Sequence, residues 1–147
     1  MLVPTAYVIQ PYLEVGGVRF GMTPSEVEAA VGTATRISTN SMGERDEVRP
    51  GISVRFDRQT GRVAEIAIHK SERAIYRGID LFSANDPLRF LAQDDPNPLE
   101  SLGFVVFLGL GLALTGFHDN DESQKAITAF SAGRWDAVRP SMTPFSV

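Results

Sequence analysis

The sequence predicts an α+β fold in which short helices pack on antiparallel strands. Three observations lead to this class. A capped helix start lies within residues 17–32, an alternating hairpin follows over 52–69, and residues 78–130 repeat the same order of elements. We therefore expect two tandem units, each a short helix packed on antiparallel strands, that share a core or a continuous sheet.

Length and composition fit one folded domain. The chain has 147 residues, of which 43% are hydrophobic and 22% are charged, as is ordinary for a globular protein. We expect a single domain over residues 1–147, with internal units at about 12–70 and 74–137. A unit of about 60 residues buries little surface by itself, which favours a shared core.

The helix of the first unit is the best-defined local element. Thr23 is a favourable N-cap, Pro24 takes the first helical position, and Glu26 follows Thr23 by three residues, as a capping box requires. Gly32 supplies a left-handed stop. The pattern predicts a helix over about 23–31.

Strands are predicted on both sides of this helix from short apolar and β-branched runs. Before the helix we expect strands at 2–9 and 12–20, and after it a strand at 33–39. Residues 40–46 are polar and rich in turn formers, so they predict a loop. Residues 47–49 start a further strand that a Pro-Gly pair interrupts.

The clearest strand signal is a hairpin at the end of the first unit. Residues 52–57 alternate between apolar and polar side chains, 58–61 form a glycine-containing turn, and 63–69 return. The apolar positions are expected to point inward: Ile52, Val54, Phe56, Ile66 and Ile68. The intervening positions then point outward: Ser53, Arg55, Glu65, Ala67 and His69.

The second unit follows the same plan. Gly78 aligns with Gly17 at an offset of 61 residues, and Pro87, in a second capped helix start, aligns with Pro24 at an offset of 63. We expect strands at 104–107, 112–117 and 125–130, with a loop over 94–99. Gly116 is interpreted as a β-bulge.

Several classes of function are disfavoured by composition. The chain has no cysteine, which excludes disulfides, thiolate catalysis and cysteine metal sites. The formal net charge of -4 argues against a nucleic-acid partner and is compatible with a basic protein partner. Residues 103–117 are apolar but too few to span a bilayer, and the N-terminus has no signal-peptide pattern. We expect no membrane partner and a cytoplasmic location.

The polar residues show no catalytic or metal-binding pattern. His69 and His118 lack the spacing of a histidine metal site, and the acidic run 119–122 lacks the glycine and glutamate of a calcium loop. The sequence contains neither a nucleophile elbow nor a phosphate-binding loop. We therefore predict no catalytic residues, no metal and no cofactor.

A sheet face that combines aromatic and polar side chains is instead typical of a protein interface. The residues predicted to contact a partner are Arg55, Glu65, His69, Thr115, Phe130 and Trp135. The alternative is that Phe130 and Trp135 are buried where the two halves meet.

A family resemblance supports a binding role. The run from Gly17 to Gly32, followed by the pattern Gly-apolar-x-Val-x-Phe-Asp…Gly-Arg-Val over 51–63, resembles the β-lactamase-inhibitor-like fold. This group includes small outer-membrane lipoproteins of the barrel-assembly machinery and members with the unit in tandem. The resemblance covers the first half well and the second half by pattern only, and it implies a protein that binds other proteins and is not an enzyme. The lipobox cysteine of the lipoproteins is missing.

These observations predict a non-enzymatic protein-binding module. In size and mixed α+β make-up the chain also resembles the soluble immunity proteins of bacterial toxin systems, which implies a protein that occludes a partner toxin or enzyme. Two alternatives stay open at this stage: a small-ligand carrier or enzyme with its pocket between the halves, and an accessory protein of envelope assembly.

Overall fold

Two β-sheets and two short α-helices make up the fold in the computed structural model, which describes residues 6–147. The α+β class and the antiparallel sheets predicted from the sequence are confirmed. The strands are β1 (Ala6–Gln10), β2 (Glu14–Val15), β3 (Val18–Arg19), β4 (Arg36–Thr39), β5 (Arg45–Arg49), β6 (Ile52–Phe56), β7 (Val63–His69), β8 (Arg73–Tyr76), β9 (Ile79–Asp80), β10 (Leu99–Ser101), β11 (Phe104–Phe107), β12 (Leu112–Thr115), β13 (Ala126–Phe130) and β14 (Thr143–Pro144). The helices are α1 (Pro24–Val31) and α2 (Pro87–Ala92), with 3-10 turns at Glu122–Gln124 and Asp136–Ser141.

Helix α1 begins at the predicted capping box. The backbone N–H of Glu26 donates to the Thr23 hydroxyl at 3.3 Å, and the Thr23 N–H donates to the Glu26 carboxylate at 3.0 Å. Because the carboxylate accepts this bond, the pKa of Glu26 lies below its ordinary value. Val27 is fully buried and anchors the helix to the core.

The smaller sheet joins the two units through the strand order β3-β2-β1-β8-β9. Strands β1 and β8 are parallel, and every other pairing in this sheet is antiparallel. The single strand predicted at 12–20 is in fact two short strands, because Gly16 and Gly17 both have positive φ and form a tight hairpin turn. Arg77 and Gly78 make the same turn in the second unit.

The larger sheet is continuous across both units, in the order β14-β10-β11-β12-β13-β7-β6-β5-β4. Its centre is the antiparallel pairing of β7 with β13, where Ala67 lies opposite Thr128. The hairpins on either side have matching registers, since Ile52 pairs with Ile68 in the first and Leu112 pairs with Ala129 in the second. The unit boundaries at 12–70 and 74–137 stay a prediction.

The core lies between the two sheets and the helices. All five side chains predicted to point inward from the first hairpin are buried there, together with Leu88 and Leu91 of α2. A second, smaller cluster occupies the opposite face of the large sheet in the second unit, which the C-terminal segment 131–144 covers. Its buried members are Val106, Ala113, Phe130 and Met142.

Some predicted elements differ from the structure. Strand β5 starts at Arg45, inside the predicted loop 40–46, while β8 and β10 were not predicted as strands. Gly116 is not a bulge: β12 ends at Thr115 in regular register with β13, and the register irregularity lies between Arg55 and Phe56. The predicted strand 2–9 lies partly outside the described residues, within which it begins at Ala6.

Candidate functional site

The outer face of the large sheet, opposite the main core, carries all of the residues predicted to contact a partner. Strand register arranges their side chains in rows across the sheet. In one row Asp46 lies opposite Arg55, Arg55 opposite Glu65, and Glu65 opposite Phe130. We call the first three of these positions, Asp46, Arg55 and Glu65, the charged row.

The neighbouring row of outward positions lies two residues further along each strand, and its side chains are small. Ser53 lies opposite Ala67, and Ala67 lies opposite Thr128. Rows of this kind are about 7 Å apart, since a strand rises about 3.4 Å per residue. Beyond the small row, Ala126 lies between His69 and Thr115. The six predicted residues therefore share one face but fall on both sides of a floor of small residues.

Aromatic side chains from the second unit form one wall of this face. The Trp135 ring stacks on Phe130 with centroids 5.2 Å apart and meets Phe104 edge-on at 5.5 Å. Phe130 does point outward, as its strand position predicted, but it is only 1% exposed because Trp135 lies over it. Phe130 is buried where the two halves meet, because β13 pairs there with β7, and Trp135, which stacks on it from the C-terminal segment, presents the aromatic surface.

A groove of about 220 Å³ lies between the aromatic wall and the charged row. Its volume is on the order of one large side chain. The residues that line it are Asp46, Ser53, Arg55, Glu65, Ala67, Phe104, Thr128 and Trp135.

The charged row is held by ion pairs. Arg55 donates from Nε to Asp46 Oδ1 at 2.8 Å and from Nη2 to Oδ2 at 3.3 Å, and its Nη1 lies 3.8 Å from Glu65. These carboxylates, Asp46 foremost, raise the pKa of the Arg55 guanidinium above its ordinary value. The Arg55 side chain is nevertheless 39% exposed, so a partner can contact it.

Arg134, from the C-terminal segment, bridges Glu65 of the charged row and Glu44 of the first unit. It binds Glu44 with two hydrogen bonds of 2.6 and 2.9 Å and Glu65 with a third of 2.7 Å. The Arg134 bonds hold the pKa of Glu44 below its ordinary value, and Glu44 in turn raises the pKa of Arg134. The side chains of Arg134 and Glu44 are only 14% and 5% exposed.

The two remaining predicted residues make local contacts. His69 is exposed, and its Nδ1 lies 2.6 Å from the Ser71 hydroxyl. The Thr115 hydroxyl donates to the Gln124 carbonyl at 2.9 Å. Within residues 6–147, no three histidine, aspartate or glutamate side chains are grouped to hold a metal ion.

The sequence did not reveal Glu44 and Arg134. Glu44 lies in a polar run that predicted a loop, and its partner is 90 residues away. A charged residue carries no local signal for so distant a pairing.

No family model, curated protein or solved structure matches this chain. The helices of the described residues are all too short or too polar to cross a membrane. The case for a function therefore depends on the outer face itself.

Proposed function

We propose that this chain is a non-enzymatic, cytoplasmic protein-binding module of the immunity or inhibitor class, which occludes a partner toxin or enzyme with the outer face of its large sheet. The observation that carries the proposal is the groove between the Trp135 wall and the charged row, above a floor of small side chains.

The aromatic wall is preorganised for binding. Trp135 is fixed on one side by the stacked Phe130 ring and on another by the edge of Phe104. A half-buried tryptophan that is already held in place loses little side-chain entropy on association, and tryptophan is enriched among residues that dominate binding energy. This supports Trp135 as the anchor of the interface.

The charged row supports a basic partner. Together with the residues that pair with it through Arg134, it forms a network of four carboxylates and two guanidinium groups, which is negative as a whole: Asp46, Glu65, Glu44 and Asp57 with Arg55 and Arg134. Complementary charge steers association and rejects unsuitable partners. The net charge of -4 on the whole chain acts in the same direction.

The floor supports insertion of a partner side chain. Ser53, Ala67 and Thr128 are short, and they lie side by side on three adjacent strands. A lysine or arginine of the partner can lay its aliphatic stem over this floor, beside the Trp135 ring, and place its charged end on the carboxylates.

The groove carboxylates support binding over catalysis. Asp46 and Glu65 each accept hydrogen bonds from an arginine. These bonds hold both carboxylates in fixed positions on the groove, which suits recognition of a partner side chain. The resemblance of the first half to β-lactamase-inhibitor-like proteins agrees with this role.

Site-specific photocrosslinking in the native host tests the proposal. A photoreactive side chain at Ala67, on the floor of the groove, is expected to capture a partner protein, whereas the same group at Thr60, on an exposed turn, is the matched control. Trp135→Ala is expected to abolish the Ala67 product. Equal capture from both positions would refute the proposal. So would a protein that captures no partner but gains several degrees of melting temperature from a metabolite.

A further inference from the structure

We propose that β4, an outermost strand of the large sheet, accepts an extended segment of a partner protein that pairs with it antiparallel and carries an acidic side chain into the cleft beside α1. This inference rests on the proposed role in protein binding but concerns a different surface. The outer face and the β4 edge can therefore be tested separately.

The second unit contains the precedent. Strand β10 is the counterpart of β4, and the chain itself covers the edge of β10 with β14. Glu100 lies opposite Thr143 in this antiparallel pairing, and the Phe145 N–H donates to the Pro98 carbonyl at 3.0 Å. In the second unit, the edge equivalent to that of β4 therefore receives an added strand.

The β4 edge has no such cover among the described residues. Arg36 lies opposite Val48, as Leu99 lies opposite Val106 in the second unit. All four residues of β4 are exposed, including Ile37 at 53%. Exposed sheet edges usually carry a proline, a bulge, charged side chains or a covering segment that prevents pairing, and Arg36 is the only charged residue of β4. Strand β4 contains no proline, and β5 is the strand with which it pairs.

The free edge also offers backbone groups in the correct positions. Asn40 donates to the Glu44 carbonyl, and hydrogen-bonded positions alternate along an antiparallel pair. Ile37 therefore directs its N–H and carbonyl away from β5. It corresponds in register to Glu100, the residue that lies opposite Thr143 of the added strand.

Buried charge next to β4 indicates which side chain the added strand carries. In the second unit, strand β11 lies next to β10 and directs Val105 and Phe107 toward the core. Phe145 of the added segment packs against the same apolar cluster. In the first unit, Glu47 and Arg49 hold the corresponding positions. The second unit builds the same sheet without these charges, so the fold does not require them. Burying ions is costly without complete pairing.

The pairing of Arg49 is incomplete. Its side chain is 5% exposed, its Nε donates to the Gly32 carbonyl at 2.9 Å, and its Nη2 donates to Glu47 at 2.9 Å. Its Nη1 is buried and has no hydrogen-bond partner within the described chain. Arg45 donates to the other oxygen of Glu47 at 2.7 Å, so one carboxylate serves two guanidinium groups. A further carboxylate oxygen within reach of Nη1 would complete the pairing of Arg49.

A cleft of about 160 Å³ connects the cluster to the β4 edge. Arg45, Glu47 and Arg49 line it from the sheet, and Ala34 and Ile37 line it beside the free edge. Glu28 also lines the cleft from α1, where its carboxylate accepts a hydrogen bond from the Thr33 hydroxyl at 3.1 Å. An inward-facing side chain of an added strand lies over this cleft, in the position that Phe145 takes in the second unit.

Two synthetic peptides test the inference on the full-length protein. Both copy residues 141–147, one with Phe145→Glu and the other with Phe145→Gln. NMR is expected to show that the glutamate peptide binds about tenfold more tightly than the glutamine peptide, because of one charge-assisted pair. It is also expected to slow hydrogen exchange at the Ile37 amide and to shift the Arg49 side-chain resonances.

Variants of the protein separate the two parts of the inference. Ile37→Pro removes the outward N–H and is expected to abolish binding, whereas Ile37→Thr, its matched control, keeps the N–H and the binding. Arg45→Gln, at a half-exposed site, is expected to remove most of the glutamate preference. Trp135→Ala is expected to bind the peptide normally, which distinguishes this edge from the outer face.

Three results would overturn the inference. Equal affinity for the two peptides would contradict the acidic side chain. Acetate that binds as tightly as the glutamate peptide would assign the cleft to free carboxylates. Dimerisation of the protein that Ile37→Pro abolishes would assign the edge to a second copy of the chain.

Discussion

Replacing Arg134 tests whether the C-terminal segment is held over the outer face by its ion pairs. Arg134→Met keeps most of the side-chain length but removes the guanidinium that binds Glu44 and Glu65. We expect a lower free energy of unfolding, because Glu44, which is 5% exposed, loses its charged partner, and Glu65, which is 15% exposed, keeps only Arg55 at 3.8 Å.

The size of this loss follows from burial. Removing one partner of a buried ion pair costs about 3–5 kcal/mol, whereas an exposed pair contributes about 0–1 kcal/mol. Glu44 is nearly as buried as a residue of a fully buried ion pair, while Glu65 and Arg134 retain some contact with water. We therefore expect a loss of about 2–4 kcal/mol, which is a large part of the stability of a domain of this size.

Urea unfolding at several pH values measures the loss. The folded pKa of Glu44 lies below its ordinary 4.5, so the pair stabilises the protein above pH 4.5 and loses this effect as the pH falls through the folded pKa. The difference between wild type and Arg134→Met should be full at pH 7 and shrink below pH 4.5.

Arg89→Met is the matched control, since Arg89 and Asp86 form an ion pair with both side chains more than half exposed. We expect it to change stability by less than about 0.5 kcal/mol. The reasoning fails if Arg134→Met costs no more than this control, or if its cost is the same at low and neutral pH. Adding Glu44→Gln to Arg134→Met should recover part of the loss, because it removes the unpaired charge.

Three further predictions concern stability. Leu102 is 96% exposed with φ of +50° at the first position of a two-residue turn, so Leu102→Asn should raise the unfolding free energy by about 0.5–1 kcal/mol in urea; a decrease would contradict the assigned turn. Thr23→Ala should cost about 1 kcal/mol in the same assay by removing the cap of α1, while Thr23→Ser should cost much less. Burial, together with the hydrogen bond to Asp94, raises the pKa of Tyr76 from 10.0 to about 12. The protonated Tyr76 should therefore stabilise the fold below pH 10, and this contribution should be lost as the pH rises through about 12. Tyr76→Phe should not show this loss.

Local signals in the sequence predicted the elements that local interactions stabilise. The capping box of Thr23 and Glu26 fixes the start of α1 within a few residues of chain, and the alternation over 52–69 fixes the inward and outward sets of β6 and β7. The outer-face positions of Arg55 and Glu65 followed from the same alternation, and that of Thr115 followed from the matching hairpin of the second unit.

Elements that depend on distant partners were not predictable in this way. Strand β8 is paired with β1 more than 60 residues earlier, and β10 is covered by β14 more than 40 residues later. Neither has a clear alternating pattern of its own. The burial of Phe130 likewise depends on Trp135, whose position is set by the turn at Gly133 and by the ion pairs of Arg134.

The late position of segment 131–144 in the chain has a consequence for biosynthesis. The ribosome synthesises the chain through β13 before it adds Arg134, which binds Glu44, and Trp135, which lines the groove. A nascent polypeptide that pauses at this stage contains nearly all of its strands but lacks Arg134 and Trp135. Under the proposed function, the outer face would become competent for binding only after these residues had been translated.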